Sequence, residues 1–151
     1  MKPEALQILL ADDDTDDCSF FKDALESLSL ATHLTIVHDG EQLMHLLVAG
    51  TSKLPDVLFL DLNMPRKNGF ECLEEIKRDK KFALLPIIVF STSFDQDRVD
   101  LIYENGAHYF MRKPAEFLQL KNIIHEGLRR IVQDFSAGNR TQPAKESFVI
   151  M

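Results

Sequence analysis

The sequence predicts a doubly wound α/β domain, and three observations carry that prediction. Five short runs of β-type residues alternate with segments whose apolar residues recur at helical spacing. The inner runs, "DVLFLD" and "PIIVFS", are almost continuously apolar, as parallel strands covered on both faces must be. Helix-start and helix-stop residues mark the joints between runs.

Taken in order, "ALQILLA" (Ala5–Ala11) is the first strand, closed by Asp12, Asp13 and Asp14. A stripe of Phe21, Ala24, Leu25 and Leu28 makes the first helix. "LTIV" (Leu34–Val37) is the second strand. "DGEQ" (Asp39–Gln42) pairs a capping residue with Gln three positions on, and opens a helix carrying Leu43, Leu46 and Leu47 that Gly50 should stop. "DVLFLD" (Asp56–Asp61) is the third strand, and "NGFE" (Asn68–Glu71) starts the helix of Phe70, Leu73 and Ile76. "PIIVFS" (Pro86–Ser91) is the fourth. "SFDQ" (Ser93–Gln96) opens the helix of Val99, Ile102 and Tyr103, with Gly106 as its stop. "AHYFM" (Ala107–Met111) is the fifth strand. The last stripe is the longest: Phe117, Leu120, Ile124, Leu128, Ile131 and Phe135. Five such β-α units must cross over right-handed. They form one domain over residues 1–136. In the tail, 137–151, Gly138, Asn139 and Pro143 break any helix, yet the chain closes on Phe148, Val149, Ile150 and Met151. An apolar end of that kind predicts docking on the body or on a neighbour.

Composition narrows the function classes. The 151 residues are 45% hydrophobic and 27% charged, with a formal net charge of −7 and no long basic run. That argues against nucleic-acid binding, which needs positive charge to neutralise phosphates. No apolar run approaches the roughly 20 residues that span a bilayer. "MKPEALQILLADDD" places acids where a signal peptide needs a cleavage site, so a cytoplasmic protein is expected. Cys18 and Cys72 read as reduced, small side chains, and the five scattered histidines as packing or surface residues.

The chemistry sits in the acids. Asp61 follows four apolar residues, Val57 to Leu60, and a charge at the edge of a hydrophobic strand is costly unless compensated. Ligands of open α/β sheets bind at the carboxyl ends of the strands. If the first and third strands are neighbours, Asp12, Asp13 and Asp61 share a cleft. Two bare carboxylates about 4 Å apart repel by roughly 4 kcal/mol at an effective dielectric near 20. A hard divalent cation, Mg²⁺ or Mn²⁺, answers that need. So does Lys113, which ends the fifth strand in "FMRKPAEF", where Pro114 sets the turn and a cis bond is an option.

On "ILLADDD", "DVLFLDLNMPRKNG", "PIIVFSTS" and "GAHYFMRKP", in that order and spacing, the chain resembles the receiver domains of two-component response regulators over about Leu6 to Phe135. The resemblance implies a flavodoxin-like (CheY-like) three-layer sandwich around a five-stranded sheet of order 2-1-3-4-5. It implies Asp61 as phosphoacceptor, with Asp12, Asp13, Asp61 and the Asn63 backbone carbonyl on the metal. Ser91 takes the hydroxyl position that bonds the phosphoryl group, and Lys113 that of the paired lysine. Phe110 stands where many members carry a switch Tyr, and lacks the hydroxyl. By the same resemblance the chain is a stand-alone phosphorelay protein rather than an enzyme, catalysing only its own phosphorylation and slow self-dephosphorylation. Its partners are a sensor histidine kinase or a phosphotransfer protein. The readout or homodimer face is helix 4, strand 5 and helix 5, with Tyr103, His108 and Tyr109 contributing. "DLNMPRKNG" and the tail are similar to the subgroup serving bacterial phytochrome kinases.

Rival classes fit less well. A haloacid dehalogenase-type phosphatase wants Thr or Val where "DDDT" is followed by Asp16, and a large cap insertion. A flavin module needs a Ser/Thr/Gly-rich phosphate loop where "DDDTDD" stands. A receiver-fold interaction module working without phosphorylation would not need the intact acidic set and Lys113.

Overall fold

Val57–Leu60 is four apolar residues with no measurable exposure, so this strand can lie only between two layers. The computed structural model, which describes residues 5–49, 54–92, 95–138 and 141–150, places it there. Strands β1 (Leu6–Ala11), β2 (Thr32–Val37), β3 (Val57–Leu60), β4 (Ile87–Ser91) and β5 (Tyr109–Arg112) are all parallel and ordered 2-1-3-4-5. A sixth, β6 (Val149–Ile150), extends the sheet beyond β5. Helices α1 (Thr15–Glu26) and α5 (Phe117–Ser136) cover one face; α2 (Gly40–Ala49), α3 (Gly69–Arg78) and α4 (Gln96–Glu104) cover the other.

Strand alternation assigns the cores. Ile8, Leu10, Phe59, Phe90 and Met111 point toward α1 and α5, and Leu9, Leu58, Leu60, Val89 and Phe110 toward the other layer. Phe21, Phe59 and Phe90 meet edge-to-face at 5.0–6.2 Å between ring centroids. Only β2 alternates half-exposed positions, because it is an edge.

The caps follow the sequence in part. Asn68 and Glu71 form a complete capping box, and the Gln42 N–H donates to Asp39 at 2.8 Å. Gly106, at φ +98°, follows α4 as predicted. The cap of α4, however, is Asp95, which accepts from the Asp97 N–H at 3.0 Å. The predicted Ser93, like Gly50, lies outside the described residues. No peptide bond among the described residues is cis, so the bond before Pro114 is trans.

The end of the chain changes one expectation. β5 would be an open edge, and β6 pairs along it, Val149 beside Phe110 and Ile150 beside Met111. Phe148 is buried against Tyr103, edge-to-face at 4.9 Å, and its carbonyl accepts from the Phe110 N–H. Gln142 donates to the carbonyls of Tyr103 and Ala107, and the Tyr103 hydroxyl to that of Pro143. Tyr103, His108 and Tyr109 therefore do not present an open readout surface. His108 and Tyr109 are buried, the Tyr109 hydroxyl is bound to Asp134, and Tyr103 lies under the tail.

Candidate functional site

Register makes the first contact. Ala11 pairs with Leu60, and the Asp61 N–H donates to the Ala11 carbonyl at 2.9 Å. Asp12 and Asp61 therefore leave adjacent strands side by side. On the far side Ser91 pairs with Arg112, and the Lys113 N–H donates to the Ser91 carbonyl at 2.8 Å. Residues far apart in the chain thus reach one end of the sheet.

There, one carboxylate oxygen from each of Asp12, Asp13 and Asp61 lies within 4.8 Å of the other two. Asp12 and Asp61 are 1% and 6% exposed, whereas Asp13 faces solvent. The Lys113 ammonium stands 2.6 Å from Asp12 Oδ2, 3.0 Å from Asp17 Oδ2 and 3.6 Å from Asp61 Oδ2. Its nitrogen also lies 5.5 Å from the centroid of the Phe90 ring.

Burial pushes the Asp61 carboxyl up to about 6. Asp12 adds to the rise, while Lys113 and the Asn63 N–H, 3.4 Å from Oδ1, oppose it. For Lys113, burial works downward, but Asp12, Asp61 and Asp17 outweigh it and hold the amine above its usual range. Three carboxylates, those of Asp12, Asp17 and Asp61, thus face one ammonium group, and Asp13 adds a fourth to the cleft. The surplus negative charge, borne by hard oxygen donors in a half-open cleft, fits a divalent cation.

The segment after Asp61 is held close. Met64 is buried, Arg66 takes φ +66° with its guanidinium 3.6 Å from Asp39, and the Gly69 N–H donates to the Leu62 carbonyl at 3.0 Å. A Cβ on Gly69 would stand 2.1 Å from the Asp61 carbonyl oxygen, so the backbone carrying Asp61 would have to move. Gly69→Ala is expected to cost about 2 kcal/mol, read as a lower urea midpoint; an unchanged midpoint would show that the loop yields freely.

Among the remaining predicted residues, Ser91 is buried at its strand end, and Phe110 is buried in the layer beneath α4. Asp14 lies outside the three-carboxylate group. It caps α1 by accepting from the Asp16 and Asp17 N–H groups. Sequence reasoning passed over Asp17. The only signal was its place three residues after a capping Asp, at the start of a helix following a strand end.

A family model for the response regulator receiver domain matches residues 8–125. The chain belongs to that family. It places this receiver among signalling proteins of phosphorelays rather than among enzymes that turn over a substrate. The chain is 30% identical over 122 residues to the probable methanogenesis regulatory protein FilR2 of Methanothrix harundinacea, covering 79% of each chain. It is 30% identical over 121 residues to the response regulator Rcp1 of Synechocystis, covering 78% of this chain and 82% of Rcp1. The fold superimposes on the crystal structure of the phosphorylated cyanobacterial phytochrome response regulator RcpA, with TM-score 0.75, 30% identity, and 87% and 94% of the two chains covered. It also matches the Mn²⁺-bound form of Rcp1, with TM-score 0.73, 28% identity and 92% and 99% covered. No helix among the described residues of this receiver is long and apolar enough to cross a membrane.

Proposed function

We propose that this receiver is a cytoplasmic response regulator that accepts a phosphoryl group on Asp61 and thereby switches its partner-binding surface. Residues 1–136 form the receiver unit, and 137–151 a tail. The observation that carries the reading is the meeting of Asp12, Asp13 and Asp61 around one cleft, with the Lys113 ammonium inside it.

Asp12, Asp13, Asp61 and the Asn63 backbone carbonyl are the groups that would hold Mg²⁺ or Mn²⁺. When bound, the cation neutralises the acidic cluster and the charge of an approaching phosphodonor. The protein's own groups do the rest. An Asp61 carboxylate oxygen attacks phosphorus, forming an acyl phosphate, while the donor's bond to phosphorus breaks and the leaving group departs with the electron pair. Burial favours this reaction because every charged contact is stronger out of water. Lys113 pairs with a phosphoryl oxygen, and the Ser91 hydroxyl donates to another; the two residues lie side by side at the carboxyl ends of β4 and β5. Phe110, buried next to Ser91's strand, is the aromatic that responds when Ser91 moves.

The donor is a sensor histidine kinase or a phosphotransfer protein. The likeness to Rcp1 and RcpA favours a kinase of the bacterial phytochrome type. The face of α4, β5 and α5 serves as output or homodimer surface, so the 141–150 segment takes part in the output: it must be displaced or incorporated.

Labelling with acetyl phosphate and Mg²⁺ tests the reading. Wild type is expected to gain the mass of one phosphoryl group; Asp61→Asn, or wild type with excess chelator, gains none. Label retained in either case would refute it.

A further inference from the structure

Lys113 has one more partner than the proposed chemistry uses. Its Nζ donates to Asp12 Oδ2 at 2.6 Å and to Asp17 Oδ2 at 3.0 Å, while Asp61 Oδ2 stands further off at 3.6 Å. The ammonium protons are thus directed toward Asp12 and Asp17, and the buried phosphoacceptor is left with the weakest share.

The placement of Asp17 is not set by the lysine. Asp14 caps α1 and accepts from the Asp16 and Asp17 N–H groups at 2.9 and 3.1 Å, which fixes the first turn and with it the backbone position of Asp17 beside the cleft. An acid in that turn also suits the helix dipole, but Asp16 in the same turn does so with no contact to Lys113. The two hydrogen-bonded carboxylates differ in what release would cost them. The Asp12 side chain is 1% exposed, and losing its counter-ion would leave a bare buried charge. That of Asp17 is 42% exposed and is rehydrated when the lysine leaves.

We propose that Asp17 is a positioning residue that holds the Lys113 ammonium on the Asp12 side of the cleft until a phosphoryl group on Asp61 draws it across. The inference rests on the phosphoacceptor reading of Asp61 above. A phosphoryl group brings nearly two negative charges and strong acceptors, against which a half-exposed ion pair is a weak competitor. Lys113 exchanges Asp17 for a phosphoryl oxygen and keeps Asp12. Asp17 takes no part in bond making. It sets how readily the lysine becomes available, and so how far the phosphorylated state is favoured over the resting one.

Beryllofluoride, a phosphoryl mimic that attaches to a carboxylate oxygen, provides the test, titrated with Mg²⁺ into the full chain. Asp17→Asn is expected to bind it about fivefold more tightly than wild type, the ceiling for an exposed ion pair. Asp16→Asn makes the same charge change one residue away and should bind like wild type. In a Lys113→Gln background, Asp17→Asn should change nothing. Unaltered or weaker binding by Asp17→Asn, or the same tightening in Asp16→Asn or with Lys113 replaced, would overturn the proposal. If wild type itself fails to bind beryllofluoride, the phosphoacceptor reading falls instead.

Discussion

Asp61→Asn is expected to resist urea better than wild type in metal-free buffer at pH 7, by about 2 kcal/mol. Burial and Asp12 raise the folded-state pKa of Asp61 from 3.8 to about 6. The folded protein therefore binds a proton that the unfolded chain releases between those two values. The stability linked to this group is fully present below about pH 4 and is lost as pH rises through 6. At pH 7 the wild type carries an ionised, buried Asp61 that a shared lysine and the long Asn63 N–H bond offset only in part; the amide removes that charge at nearly constant volume. The advantage should shrink toward zero at pH 4, where both side chains are neutral. Mg²⁺ should narrow it at pH 7 by stabilising wild type. Denaturation curves at the two pH values, with chelator and with Mg²⁺, measure each effect; equal midpoints at pH 7 without metal would contradict the electrostatic account of the site.

Ending the chain after Ala137 is expected to cost about 3 kcal/mol and to make the protein self-associate. Phe148 and Ile150 are both 1% exposed, so truncation strips two buried apolar side chains from the core. It also removes the Phe148 carbonyl that accepts from the Phe110 N–H, and uncovers the ring of Tyr103. What remains is an unpaired edge of β5 beside an apolar patch, a surface that recruits a second chain. Urea midpoints read the first effect, and light scattering over a concentration series the second. A truncated protein that stays monomeric, with an unchanged midpoint, would show that the tail contributes little to the fold in solution.

Both effects arise from residues whose type is plain in the sequence but whose surroundings are not. The strands were legible because apolar runs such as Val57–Leu60 and Ile87–Phe90 have no other place to go than a covered sheet. Asn68 with Glu71 announced a helix start through a bond spanning three residues. Asp12, Asp13, Asp61 and Lys113 could be singled out because each ends a predicted strand, and strand ends in such sheets face one cleft. Lys77 shows the opposite case. It lies in α3 like any surface lysine, yet burial lowers it to about 8 and its amine donates to the carbonyls of Ala83 and Leu85. Nothing local marks it.

By itself, then, the sequence determined the strand and helix pattern and the end of the sheet where the charges gather, because periodicity, capping and strand burial act over a few residues. Tertiary structure alone decided that Lys113 is divided among Asp12, Asp17 and Asp61. It alone decided that Val149 and Ile150 add a strand over Phe110 and Met111. Those outcomes depend on which surfaces meet across the fold, with partners in competition for one ammonium group or one open edge. Sequence spacing carries no record of such a contest.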